Sequence, residues 1–251
     1  MLKGAALFTL WAGLPHRATR DIDLHGIGDP SEAHVRKAML DVILQPVDDD
    51  GVLFDAMTLT VAPIREDQAY GGVRVALLAR IASAQIRLQI DVGFGDAITP
   101  VAATAEFPAL LDFPAPRLLV YPRETVIAEK LEAIVQLGMA NSRMKDFYDI
   151  AVLANSFEFQ GQLLLDAIRA TFKRRGTTLP KEQPVAFTPT FTGDESKTMQ
   201  WTAFVKKSGI DGTPDLGSTV VAVAAFLKEP LAVAITAEPF AKHWSAKTEW
   251  K

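Results

Sequence analysis

The chain has 251 residues, 49% of them apolar and 22% charged, with a net charge of -4. This is enough for one large domain or two modest ones, and the charge excludes a generic basic coat for nucleic acid while leaving room for a local basic groove. The absence of cysteine excludes disulfide scaffolds, thiolate zinc sites and a cysteine nucleophile, and it fits a reducing, cytoplasmic setting.

The first element is a predicted helix over 5–14, ended by Gly13 and Pro15. Lys3 followed by GAALFTLWAGL also has the outline of a short signal peptide, but the positive end is thin and no small-x-small cleavage site follows, so the helix is preferred. RDIDLHG at 20–26 predicts a strand, with Ile22 and Leu24 on one face and Asp21 and Asp23 on the other. A helix follows over 31–44, then a turn at Asp48–Gly51. Strands are expected at 57–64, 71–82 and 85–94, the last two joined as a hairpin about Ser83-Ala84.

Residues 95–117 read as a connection and 118–121 as a short strand. Helices are expected at 123–138, 144–155 and 162–173, an extended linker at 176–198, and two last helices at 199–208 and 215–228. The longest apolar runs, such as Val220–Leu227, fall short of the roughly 18–20 residues a membrane span needs, so no membrane partner is expected. A β-rich first half and a helical second half make an α+β protein, divided near residue 120 into 1–120 and 121–251.

Three carboxylates stand out. Asp21 and Asp23 are two apart on one strand, so they share a face and repel unless something positive lies between them. A divalent cation with hard oxygen ligands is the usual remedy, although a lone DxD also suits a solvated edge strand. Asp91 lies on the polar side of RLQIDVGFG, opposite Leu88, Ile90 and Val92, and needs a partner if that strand is central. If it neighbours the DID strand, three carboxylates meet, enough for two metal ions about 3.5–4 Å apart.

In the helical half, Lys130 sits among Val126, Ile127, Ala133, Ile134 and Leu137, with Glu129 and Glu132 on the wetter side. It either snorkels or reaches a phosphate. Asp146 and Asp149, three apart on the next helix, can hold an arginine, a lysine or a water; Lys130 and Arg143 are the candidates for pairing. Arg143, Lys145 and Lys173-Arg174-Arg175 could form a local phosphate-binding surface, though such short runs are usually just solvated. His16, His25, His34 and His243 form no HxH or HxxxH pair, and no P-loop, GxGxxG or GxSxG is present.

Taken together, KGAALFTLWAGLPHRATRDIDL, RLQIDV and ETVIAEKLEAIVQLGMANSRMKDFYDI resemble the motifs of the AbiEii toxin family within the nucleotidyltransferase superfamily. The family's first motif is a strand, a Gly-Gly-Ser/Thr turn, a helix and an acidic DID strand; Lys3-Gly4, Thr19 and Asp21-Ile22-Asp23 match it. Two departures are visible: the turn reads Gly4-Ala5-Ala6, and the chain starts at the motif itself, without the helix and most of the strand that commonly precede it.

The resemblance implies a nucleotidyltransferase-type mixed sheet with helices, followed by a mainly helical half. It implies transfer of NMP from an NTP to an acceptor such as tRNA or another RNA, by a toxin with a cognate antitoxin in abortive phage infection. Asp21, Asp23 and Asp91 would bind two Mg²⁺ ions, and with Asp146 they would form the catalytic set. Lys3, Gly4, Thr19, Lys130, Arg143 and Asp149 would bind the nucleotide. The alternatives are a catalytically impaired nucleotide- or partner-binding protein, which the loss of a hydroxyl at Ala6 favours, and a transferase acting on a small molecule.

Overall fold

The computed structural model describes residues 1–13, 17, 19, 21–64, 71–109, 111–210, 212–246 and 249–251. The chain forms two compact units, one of residues 1–96 with 104–120 and one of residues 97–103 with 121–251. It is a mixed α+β protein, as the sequence leads one to expect.

The first unit contains β1 (Leu2–Lys3), α1 (Ala6–Ala12), β2 (Ile22–Gly26), α2 (Glu32–Ile43), β3 (Val52–Ile64), β4 (Gly72–Ile81), β5 (Ala84–Phe94), β6 (Ala103–Glu106) and β7 (Arg117–Val120). The strands make one seven-stranded sheet in the order β3-β4-β5-β2-β1-β7-β6. It is mixed: β3, β4 and β5 run antiparallel, β5 pairs parallel with β2, β2 antiparallel with β1, and β1 parallel with β7.

Alternation sets which face is covered. Val73, Val75, Leu77 and Val92 point to one side and are buried. There α2 packs through Val35, Met39, Leu40 and Ile43. Ser31 starts α2 by accepting the His34 N–H on its hydroxyl at 3.3 Å.

Three differences from expectation have physical causes. Strand β3 begins at Val52 rather than 57, because Val52–Asp55 pairs with the outer end of β4 across an irregularity between Asp55 and Thr60. A register bulge hides that extension from a period-two reading. Strand β6 lies inside the expected connection; four mostly exposed residues, ATAE, carry no pattern. Leu14, Pro15 and Arg20, expected at the end of the first helix and the start of the DID strand, lie outside the described residues.

The second unit contains α3 (Arg123–Leu137), α4 (Met144–Ser156), β8 (Phe159–Gln160), α5 (Gly161–Arg175), α6 (Pro189–Thr192), α7 (Glu195–Ser208), α8 (Leu216–Ala234) and β9 (His243–Trp244). Ile127, Leu131, Ile134, Phe147, Ile150, Leu164, Ile168, Phe172, Phe226 and Leu227 are fully buried in its core. The expected linker at 176–198 is instead a built segment: a 3₁₀ turn at Val185–Phe187, α6 and the start of α7, with Ala186, Phe187 and Phe191 buried. Its apolar residues follow no helical period, and its Pro, Thr and Gly content has the character of a linker. Asp194 starts α7 early by capping the Lys197 N–H at 3.0 Å.

Helix α8 runs to Ala234, beyond the expected end at 228, straight through Pro230. A proline removes the N–H that would bond the carbonyl four residues back. That carbonyl, on Phe226, accepts the Trp250 indole N–H at 2.8 Å instead. By length and composition alone α8 would pass for a membrane span. It buries Val220, Val223, Phe226, Leu227 and Leu231 in the unit's core.

Candidate functional site

The face of the first unit's sheet opposite α2 collects the acids. Asp23 on β2 is the register partner of Asp91 on β5, and also of Lys3 on β1. Register partners share a face, so Lys3, Asp23 and Asp91 stand on the side opposite α2, while Leu24 and Val92 point into the core. Asp21 is exposed and lies just ahead of β2 rather than in it. Thr19 donates its hydroxyl to the Asp21 carbonyl at 3.3 Å.

Gly4 is required by this arrangement. Its φ is +73°, and a Cβ built there would overlap the Asp23 carboxylate. Any side chain would be strained and would displace the acid. Lys3 bonds Asp96 at 3.0 Å. Between them these groups act on His25, which is almost buried: burial first, then Lys3, hold its imidazole below the ordinary histidine value against the pull of Asp96. It is therefore neutral near pH 7.

Asp91 has a partner that the sequence did not announce. Arg74 on β4 grips both its oxygens, Nε to Oδ1 at 2.8 Å and an Nη to Oδ2 at 2.7 Å. The signal was present in the hairpin. Ile81 pairs with Ala84, and each step back along β4 is a step forward along β5, which sets Arg74 opposite Asp91.

Asp23 and Asp91 are hard oxygen donors on one face and suit Mg²⁺ in kind. Among the described residues, however, no three His, Asp or Glu side chains are grouped to hold a metal ion. The two carboxylates fit the ion by their chemistry, and Arg74 holds both oxygens of Asp91.

The second unit holds a different acid pair. Lys130 on α3 bonds Asp146 at 2.8 Å and Asp149 at 2.7 Å, both on α4, and Arg143 bonds the other Asp146 oxygen through Nε at 2.7 Å. Both aspartates are fully buried, and the lysine side chain is 13% exposed. Burial opposes the charge on Asp146, but Lys130 and Arg143 prevail and hold its carboxyl below the usual range. Burial likewise opposes the ammonium of Lys130, and Asp146 and Asp149 prevail, holding it above the usual lysine value.

Glu132, expected on the wetter side of α3, is buried instead, bonded by Arg175 at 2.8 Å and by the Thr177 hydroxyl. Arg175 of the basic run is thus drawn inward. Lys197, which no pattern singled out, is also buried. Its amine donates to the Asn141 carbonyl at 3.0 Å and lies 5.4 Å from the Phe191 ring centroid. Asn141 in turn accepts the Arg143 N–H at 2.8 Å, so α7 fixes the turn from which α4 and Arg143 start.

A family profile described as nucleotidyl transferase AbiEii toxin, type IV TA system, matches residues 1–227. The chain belongs to the AbiEii nucleotidyltransferase toxin family. Membership implies an antitoxin partner and a nucleotide substrate, and nucleotidyltransferases generally use NTPs with divalent metals. Two solved structures are similar to this AbiEii chain. One is a provisionally assigned nucleotidyltransferase from H. pylori, 15% identical, with a TM-score of 0.49 over 95% of this chain and 88% of that one. The other is JHP933 from Helicobacter pylori, also 15% identical at a TM-score of 0.49, over 92% and 83%. No curated protein matches the chain.

Proposed function

We propose that this AbiEii protein transfers NMP from an NTP to an RNA acceptor, tRNA in the first instance, as the toxin of a phage-defence system in the cytoplasm. The observation that carries the reading is the in-register placement of Asp23 and Asp91 on neighbouring parallel strands, with side-chain-free Gly4 against Asp23.

Asp21, Asp23 and Asp91 would hold Mg²⁺, which when bound neutralises phosphate charge and polarises the reacting phosphoryl group. The acceptor hydroxyl oxygen forms a bond to the α-phosphorus as the bond to the β-phosphate oxygen breaks. Pyrophosphate leaves, and the hydroxyl proton passes to an Asp91 oxygen and on to solvent. Gly4 leaves room for the Asp23 carboxylate, and the Lys3 ammonium suits the phosphate tail. In the second unit, Lys130 joins Asp146 to Asp149, and Asp146 holds Arg143 through its Nε. Such chemistry is largely positioning and charge neutralisation.

A second reading rests on the start of α1. Its N-cap is Ala5, which makes no side-chain cap bond, and its first residue is Ala6, where the family commonly carries a hydroxyl. A protein that binds nucleotide without turning it over would look the same.

The test incubates the protein with Mg²⁺, each labelled NTP in turn and total tRNA, beside Asp23→Asn. Label on RNA from the wild type alone supports the transferase. NTP binding without transfer would put the second reading in its place. Transfer to a small molecule in place of RNA, insensitive to the salt that weakens phosphate contacts, would overturn the choice of acceptor.

A further inference from the structure

We propose that Arg74 is a built-in counter-ion that holds Asp91 in the resting protein and moves to nucleotide phosphate when a divalent cation takes its place. The inference rests on the transferase reading above and adds a coupling between the two ligands.

Asp23 and Asp91 sit on adjacent strands, which lie about 4.8 Å apart, on the same face. Two carboxylates so placed repel. Arg74 offsets this from the far side of Asp91 with a two-point fork at 2.8 and 2.7 Å, the strong geometry for guanidinium and carboxylate. A cation on Asp91 would then lie beside a guanidinium that already holds both oxygens, and the two positive charges compete.

Arg74 is equipped to give way. Its side chain is 46% exposed, so it pays little to exchange one solvated partner for another. Asp91, at 19% exposed, is the more enclosed partner and stays put on β5. The freed planar fork matches phosphate oxygens as well as it matches a carboxylate. Cation and NTP are therefore each better accommodated when the other is present, which is a coupling free energy between two sites.

The test uses the full chain and compares wild type, Arg74→Met, Arg74→Lys and Asp23→Asn, with thermal melts as the folding control. One arm measures Mn²⁺ binding with no nucleotide. Arg74→Met, which keeps the stem and loses the charge, is expected to bind about tenfold more tightly than wild type, a change of about 1.4 kcal/mol. Arg74→Lys is expected to stay within about threefold of wild type. The other arm measures a non-transferable fluorescent NTP analogue at saturating Mn²⁺, where Arg74→Met is expected to bind about tenfold more weakly. A purely structural ion pair would move both arms towards weaker binding. Mn²⁺ binding by Arg74→Met no tighter than wild type, while Asp23→Asn loses it, overturns the role of Arg74 alone. Unchanged Mn²⁺ binding in Asp23→Asn overturns the transferase reading and this inference with it.

Discussion

Asp91 and Asp146 look alike in the sequence and differ in the folded chain. Each is gripped by an arginine and lies beside a second aspartate, Asp23 or Asp149. Asp91 stands on the sheet face opposite α2, 19% exposed, with a half-exposed Arg74 as its partner. Asp146 is fully buried, with Lys130 and Arg143 closed around it. The difference teaches what each pair can do. A partly solvated pair can exchange its cation at small cost. A buried pair cannot lose one partner without stranding the other's charge. The first is suited to ligands that come and go, the second to holding α3 against α4.

The largest effect is expected in the buried pair. Lys130→Met leaves Asp146 and Asp149 short of their shared cation and should destabilise the protein by about 3–5 kcal/mol. Denaturant melts check this, and adding Asp146→Asn and Asp149→Asn together should restore part of the loss. A melt unchanged from wild type would mean that the lysine is not structural. On the sheet face the expectation reverses: Asp23→Asn should lower transfer by more than about a hundredfold with little change in the melt.

Gly4→Ala should fall between these. The positive φ and the overlap with Asp23 together predict a loss of about 1–3 kcal/mol, and transfer should fall because the acid is displaced. Wild-type activity in Gly4→Ala would remove Gly4 from the site.

The smallest effect is on pH dependence. The Asp146 carboxyl is held below its usual value, so its contribution is present above about pH 4 and is lost as pH falls through the lowered value. Lys130 is held above its usual value, so its contribution persists up to about pH 10. Melting temperature should therefore drop below about pH 4 more steeply in wild type than in Asp146→Asn, and parallel profiles would contradict the pairing.

Much of this was legible because it is local. Period two exposed the faces of β2 and β5, and period three to four exposed α3 and α4 with their Lys130, Asp146 and Asp149. What escaped was non-local or aperiodic. Arg74 needed the hairpin register carried seven residues from the Ile81–Ala84 pair at the turn. The 176–198 segment is rich in Pro, Thr and Gly and reads as linker, yet Phe187 and Phe191 anchor it in the core. Lys197 is buried against an aromatic ring and a backbone carbonyl, partners with no sequence signature. Pro230 would have marked a helix end, had Trp250 not supplied the missing hydrogen bond.

The most direct test measures two quantities on the same preparations of wild type, Asp23→Asn and Lys130→Met: Mg²⁺-dependent transfer of labelled nucleotide to tRNA, and the thermal melt. The two variants are expected to give opposite profiles. Asp23→Asn should keep the wild-type melt and lose transfer, and Lys130→Met should lose stability. An Asp23→Asn protein that transfers nucleotide at the wild-type rate would contradict the assignment of the sheet face as the catalytic one.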